Sequence, residues 1–288
     1  MKILIFGATG QLGFECVNIF KAEDFDVSIT TCDISKIKDV KKAIKLVKPN
    51  IILNCAAYTN VSESENNLQE AFAVNHKGAK NISRIANELQ CKVIHISTDY
   101  VFDGTKTIPY IESDDPNPKT TYGESKLFGE QEVLSINKNN TVVRTSGLYS
   151  PIRNNFFKSI IHVIYKHRIV QIVDNQFTTP TWSYSLAYQL ISIIKNNLTG
   201  IIHATPEGYS SWYNITEYFL YKLGLTNKII PGKLHEYNKF TQVERPAFTV
   251  LENKVLKQNR LSIFTHWEDD LDLFINLYKT DFLKILKQ

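Results

Sequence analysis

The strongest constraint on this chain stands at its seventh residue. Ile3–Phe6 is a short apolar run, and it ends in Gly7-Ala8-Thr9-Gly10-Gln11-Leu12-Gly13, ahead of a helical pattern over 11–22. Glycines placed between a strand and a helix have separate uses. One makes the tight turn, one lets backbone approach a pyrophosphate, and one lets the helix pack closely on the strand. The helix N-terminus adds free N–H donors and a partial positive charge. A glycine pattern alone is weak, but strand before and helix after make it specific. The loop from Gly7 to Gly13 therefore predicts a cradle for a dinucleotide.

The rest of the chain agrees with that beginning. Strand patterns at 26–30, Ile51–Asn54, Lys92–Ser97 and 141–145 alternate with helical patterns at 36–48, 67–90 and 123–136. The stretch CAAYTNVSESE, from residue 55, reads as a loop. Near-continuous apolar strands in a βαβα rhythm predict an α/β fold with a doubly wound parallel sheet covered on both faces. After Tyr149 the rhythm loosens. Helices are expected at 155–167, 183–196, 212–223 and 267–279, strands at 169–173 and 200–204, and a turn at Pro231-Gly232. The expected division is a Rossmann domain over 1–150, with 169–204 returning to it. A smaller mixed lobe takes 151–168 and 205–288.

Composition narrows the function. With 43% apolar and 22% charged residues, the chain can bury a core without staples. A net charge of +4 with no basic stripe interleaved with aromatics argues against nucleic acid. The lysines over 36–48 read as the solvated face of an amphipathic helix. Cys16, Cys32, Cys55 and Cys91 have no CxxC spacing, which argues against zinc or a disulfide framework and for reduced thiols in the cytoplasm. MKILIFGATG is not a signal peptide. No apolar run approaches the ~18 residues of a membrane span.

Three further residues carry chemistry. Thr98 follows the strand KVIHIS, at the carboxyl end where doubly wound sheets place ligands. Tyr122 and Lys126 stand four apart in TTYGESKLFGEQ, one helical turn, on one face. A hydride added to a ketone leaves an alkoxide that needs a proton. A tyrosine can supply it, and a nearby ammonium would favour the phenolate and lower a pKa otherwise near ~10. Thr98 would orient the substrate oxygen. Each element alone is commonplace, but the set together with the glycine loop predicts carbonyl reduction. The second strand ends in Ser28-Ile29-Thr30-Thr31, with neither the acid that would bind NAD ribose nor an arginine for NADP. The cofactor is thus NADPH or NADH.

With those residues in hand, the GxxGxxG spacing and the triad make the chain similar to the extended short-chain dehydrogenase/reductases. Within them it resembles the dTDP-4-dehydrorhamnose reductase family. GATGQLG, NCAAYT, STDYVFDG and YGESKLFGE carry the first half of the likeness. VVRTS, NNFF, VDNQFTTPT, SWYNITEY and RPAFTVL carry the second. The resemblance implies that Thr98, Tyr122 and Lys126 are catalytic. It implies cofactor contacts from Gly10, Gln11, Leu12, Asp33, Ile34, Ala56, Ala57 and Tyr58. It implies substrate contacts from Thr98, Asp99, Gly147, Asn155 and Arg245, the arginine pairing with nucleotide phosphate or else forming a structural ion pair; Trp212, Phe156 and Tyr149 are candidates either to line the cleft or to serve as core aromatics. Gly147 stands where many members carry a tryptophan that touches the sugar, Ser62 replaces a usual acid and Thr178 a usual glycine. Glu15 matches one position of an interface metal site but lacks partners, so no metal is expected. The implied activity is NAD(P)H-dependent reduction of the C4 ketone of a dTDP-linked 6-deoxy sugar, in polysaccharide precursor synthesis, by a protein that could form a homodimer. A reductase or epimerase-reductase of another nucleotide sugar stays open. So does a non-catalytic, dinucleotide-binding regulatory subunit resembling that of methionine adenosyltransferase.

Overall fold

A computed structural model of the chain describes residues 1–167, 169–225 and 228–285. Residues 168, 226, 227 and 286–288, all within the expected lobe, lie outside the described residues. The first strands in chain order are β1 (Lys2–Phe6), β2 (Asp26–Thr30), β3 (Ile51–Asn54), β4 (Lys92–Thr98) and β5 (Thr141–Thr145). Together with Gly200–His203 they form a six-stranded sheet in the order Gly200–His203, β5, β4, β3, β1, β2. Every pair in it is parallel. The chain reverses its direction of progress across the sheet between β1 and β3. That reversal opens a crevice at the carboxyl ends of the strands, where such sheets bind ligands.

Alternation along the strands explains the two layers. Ile3, Ile5, Leu53 and Ile94 face one side, packed with Leu12, Cys16 and Phe20 of α1 (Gln11–Ala22) and with the helix Ser183–Lys195. Leu4, Phe6, Ile52 and Val93 face the other, where α2 (Ile37–Val47) contributes Val40 and Ile44. All four strand side chains on that second face are fully buried, each worth roughly 1.5–3 kcal/mol of transfer free energy.

The connection from β3 to β4 departs from the expected loop and single helix. It forms α3 (Val61–Asn66), α4 (Leu68–Phe72), a π-helical turn Ala73–Gly78 and α5 (Ala79–Glu88). Asn60 starts α3 inside the stretch read as loop, its side chain accepting from the Glu63 N–H at 3.1 Å. The π turn presents buried Asn75, which accepts from Tyr58 N at 2.8 Å. The same side chain donates to Tyr58 O at 3.0 Å and Ser125 Oγ at 2.9 Å. This ties the 55–60 loop to α6 (Thr121–Ile136).

Not all of 169–204 returns to the main sheet. Ser183–Lys195 and Gly200–His203 pack there, but Ile169–Val173 pairs in parallel with Lys228–Gly232. Pro231 and Gly232 therefore belong to a strand, not a turn. With one neighbour, that strand has an open edge, where a residue lacking an N–H is tolerated. The last helix runs Trp267–Ile285, past residue 279. Around these elements Phe157, Trp182, Phe219, Trp267 and Phe274 form a second core. Tyr149 is in it too, packed edge-on against Phe157 and Phe274, so it does not line the cleft.

Candidate active site

The glycine loop folds as its composition requires. Gly7 has a φ of +74°, and a Cβ there would lie 2.5 Å from Ala56 N. Only glycine fits both the left-handed backbone and the neighbouring loop. Gly10 is the N-cap of α1 and has no side-chain cap, so the first N–H groups of the helix have no intrahelical acceptor. Arg153 adds a positive group: its Nε donates to Thr9 O at 3.0 Å. A glycine-rich turn, an uncapped helix N-terminus and a guanidinium on the loop fit a dinucleotide pyrophosphate.

α6 brings Tyr122 and Lys126 to the same crevice. Thr120 caps it, accepting from Gly123 N at 3.1 Å, and Gly123 is needed because a Cβ would collide with the Tyr100 carbonyl. Tyr122 is half-buried at the cleft wall, edge-on to Tyr100 with ring centroids 5.9 Å apart. Lys126 is buried. Its Nζ donates to the Ile96 carbonyl and lies 3.3 Å from His95 Nε2. Burial draws the lysine down to about 8, with Glu130 and Cys55 resisting. This alters the expected division of labour. The lysine nitrogen is engaged with β4, and the phenol is set by other neighbours. Burial first pushes Tyr122 up to about 12, the Thr98 hydroxyl pulls it back, and Asp99 adds to the rise.

Thr98 and Asp99 form a small network at the end of β4. Thr98 Oγ1 donates to Asp99 Oδ1 at 3.0 Å and accepts from Tyr100 N at 3.2 Å. Thr249 Oγ1 donates to Asp99 Oδ2 at 2.5 Å. Burial pushes the Asp99 carboxyl up to about 6 against the pull of those hydroxyls.

Three cavities join into one cleft. The first, about 450 Å3, holds Gly10, Gln11, Leu12, Ala57, Tyr122 and Lys126, with Arg153 and Asn154. The second, about 360 Å3, shares Gln11 and Tyr122 with it and adds Thr98, Asp99 and Gly147. The third, about 400 Å3, continues past Tyr100, Gln176 and Trp212 to Phe156, Tyr237 and Arg245. Phe156 and Trp212 lie against each other with centroids 4.1 Å apart. Arg245 donates to two neutral acceptors, Thr241 Oγ1 at 2.7 Å and Ser62 Oγ at 2.6 Å, and lies over the Tyr237 ring. Gly147 has a φ of +53°, and a Cβ would lie 2.8 Å from Thr179 O.

The remaining expected residues have these neighbours within the protein. Gly7 and Gly13 shape the turn. Asp33 is exposed and accepts from Ser35 N and Oγ. The Ile34 side chain is buried in the core, where a Cβ on Gly78 would strike it. Ala56 packs on that core, and Tyr58 is held through its backbone by Asn75. Asn155 caps the helix Phe156–Lys166 and donates to Ser150 O at 2.7 Å; its neighbour Asn154 faces the cleft instead. The sequence reading missed Arg153, Asn154, Gln176 and Thr249. Arg153 lies outside every quoted motif, whereas Asn154, Gln176 and Thr249 lie within the quoted NNFF, VDNQFTTPT and RPAFTVL. Among the described residues no group of three or more His, Cys, Asp or Glu is placed to hold a metal, and no helix is long and apolar enough to cross a membrane.

A doubly wound sheet with this glycine loop and a Thr, Tyr and Lys at one crevice defines an extended short-chain dehydrogenase/reductase. More particularly, the chain belongs to the RmlD substrate binding domain family, whose model matches residues 1–280. It is 31% identical over 285 residues to a dTDP-4-keto-6-deoxy-D-glucose reductase of Streptomyces niveus, covering 96% of this chain and 98% of that one. A solved dTDP-4-dehydrorhamnose reductase from Clostridium acetobutylicum superposes with a TM-score of 0.93 at 35% identity, covering 97% and 100% of the two chains. The Bacillus anthracis enzyme of the same name, in complex with NADP, gives 0.91 at 30% identity, covering 95% and 98%.

Proposed function

We propose that the protein is an NAD(P)H-dependent reductase of the C4 ketone of a dTDP-linked 6-deoxy sugar, with dTDP-4-dehydro-L-rhamnose as the substrate and dTDP-L-rhamnose as the product. The observation that carries this reading is that Tyr122 lines both the cavity of the glycine loop and the cavity of Thr98 and Asp99. A proton donor at the junction of two cavities serves a reaction between the molecules that fill them.

When bound, the nicotinamide supplies a hydride. Tyr122 gives its phenolic proton to the oxygen of the carbonyl being reduced, so that hydride and proton together convert C=O to CH–OH. A phenol held near 12 stays protonated at neutral pH and is ready to donate. Thr98, once its hydroxyl turns from Asp99, orients that oxygen from the end of β4. Lys126, on the same helical face, would take up a proton to balance the phenolate left behind and would hold the nicotinamide ribose. Gly10, Gln11, Leu12 and Arg153 would hold the cofactor phosphates. No carboxylate stands at Ser28–Thr30 to repel a 2′-phosphate, so NADPH is accommodated.

The lobe built on the second core covers the nucleotide sugar. Phe156, Trp212 and Tyr237 offer an apolar wall for the base, and Arg245 offers a guanidinium with neutral partners to the diphosphate. Four free cysteines and a nicotinamide reaction suit the cytoplasm. Oxidation of NADPH and NADH in the presence of dTDP-4-dehydro-L-rhamnose and, separately, dTDP-4-keto-6-deoxy-D-glucose tests the reading. Turnover with the first sugar supports it, turnover with the second alone changes the sugar, and turnover with neither sinks it.

A further inference from the structure

His95 stands at the centre of β4, fully enclosed, in a strand whose other inward positions are apolar or hydroxyl-bearing. Its two ring nitrogens have defined neighbours. Asn54 Nδ2 lies 2.9 Å from Nδ1, and Lys126 Nζ lies 3.3 Å from Nε2. The Asn54 amide is oriented by a third group, because Ala56 N–H donates to its Oδ1 at 3.2 Å. Turning the amide over would set two donors face to face. Asn54 therefore presents N–H to Nδ1, and Nδ1 accepts. A neutral imidazole then carries its hydrogen on Nε2. Burial holds the ring well below the ordinary imidazole range, and any positive charge on Lys126 lowers it further, so it is neutral.

Nε2–H points at Lys126. An ammonium has no lone pair to receive it, whereas a neutral amine does. The amine can accept from Nε2–H, donate one hydrogen to the Ile96 carbonyl and keep one for the cleft. We infer that His95 is a positioning residue for the reduction: locked by Asn54 as the Nε2–H tautomer, it fixes Lys126 beside the cofactor cavity and favours the lysine's amine form. His95 itself neither gives nor takes a proton in the reaction.

The other groups around Lys126 act in the opposite sense. Cys55, at the end of β3, and Glu130, one turn along α6, both favour the ammonium. Glu130 is bonded to Arg144 of β5 at 2.7 Å, which blunts its influence. Tyr122, one turn back, favours the ammonium once it becomes phenolate. Burial first, and the Nε2–H of the histidine with it, thus offset these groups and let Lys126 take up a proton near neutral pH once the phenol has given up its own. This consequence rests on the reductase reading; the tautomer does not.

Nitrogen-resolved NMR of the wild-type imidazole, without substrate, is the first test. The expected result is Nε2–H with no titration between about pH 5.5 and 8.5. An Nδ1–H tautomer, or an imidazolium in that range, overturns the inference. Two variants test the consequence. In Asn54→Asp, one oxygen still accepts from Ala56 N–H and the other requires a hydrogen on Nδ1, so Nε2 becomes an acceptor for the ammonium. In His95→Gln, the amide oxygen can turn to the ammonium with no new charge. Both should move the alkaline limb of the kcat profile upward, by roughly one pH unit, with the KM for the sugar unchanged. A limb that stays in place in both variants refutes the role. Failure of the wild-type protein to turn over any keto-sugar would count against the reductase reading, while the NMR result would still decide the tautomer.

Discussion

Replacing Asp99 with asparagine should make the protein more stable and less active. The carboxylate is 3% exposed and accepts hydrogen bonds from the hydroxyls of Thr98 and Thr249. Burial raises its pKa from 3.8 to about 6. The folded state then holds the proton more tightly than the unfolded chain does. Stability is greatest below about pH 4, falls as pH rises between about 4 and 6, and is level above. A shift of about 2 units corresponds to about 3 kcal/mol over the whole range at ~1.4 kcal/mol per unit. Between pH 5 and 8 the folded group releases about one proton that the unfolded chain has already lost at pH 5. That window therefore contains about 1.4 kcal/mol. Urea unfolding of both proteins at pH 5 and pH 8 measures it. Asp270, also raised to about 6 by burial, has the same sign in both proteins and cancels in the difference. Asp99→Asn should gain about 1.4 kcal/mol relative to wild type on going from pH 5 to 8, and its kcat/KM should fall because the amide offers one acceptor oxygen where the carboxylate offers two, so the hydroxyls of Thr98 and Thr249 cannot both keep their partner. An identical pH slope in the two proteins would refute this reasoning.

Other substitutions separate the parts of the cleft. Tyr122→Phe should abolish turnover and leave the cofactor Kd, by calorimetry, within a few-fold of wild type; retained turnover would remove Tyr122 as the acid. Gly7→Ala places a side chain at φ +74° and against Ala56 N; it should lower stability by roughly 2 kcal/mol and weaken cofactor binding, as thermal melts with and without NADPH would reveal. Arg245→Gln should raise the KM for the nucleotide sugar about tenfold, the equivalent of one charge-assisted contact at ~1.4 kcal/mol, and leave the KM for NADPH unchanged. Arg153→Ala should do the reverse, which initial-rate kinetics with each substrate varied would separate.

Local signals sufficed where a residue type has a single physical use. Gly7 and Gly10 marked a strand-to-helix turn, and α1 and the helix Trp212–Leu223 occupy the residues their apolar spacing indicated. Thr98, Tyr122 and Lys126 were legible because one chemistry needs all three. Where tertiary contacts decide, the sequence was silent or misleading. The periodicity of 67–90 hides the π turn, which exists because Asn75 must satisfy both Tyr58 and Ser125. Pro231-Gly232 reads as a turn until Ile169–Val173 is known to lie beside it. The partner of Lys126 could be anticipated only in part. One histidine inside the apolar run KVIHIS signals a buried polar contact, but not that its other nitrogen meets Asn54. Arg153 had no signal at all, since its use depends on a loop more than 140 residues distant in sequence from Thr9.

The central claim is that hydride passes from the nicotinamide to the sugar ketone while Tyr122 supplies the proton. Reduction of dTDP-4-dehydro-L-rhamnose with NADPH deuterated at nicotinamide C4 in the transferred position, followed by NMR of the product, tests it most directly. The account predicts one deuterium at C4 of the sugar, a hydroxyl at the same carbon, and no product with Tyr122→Phe. A product with deuterium absent from C4, or the same labelled product from the phenylalanine variant at the wild-type rate, would contradict it.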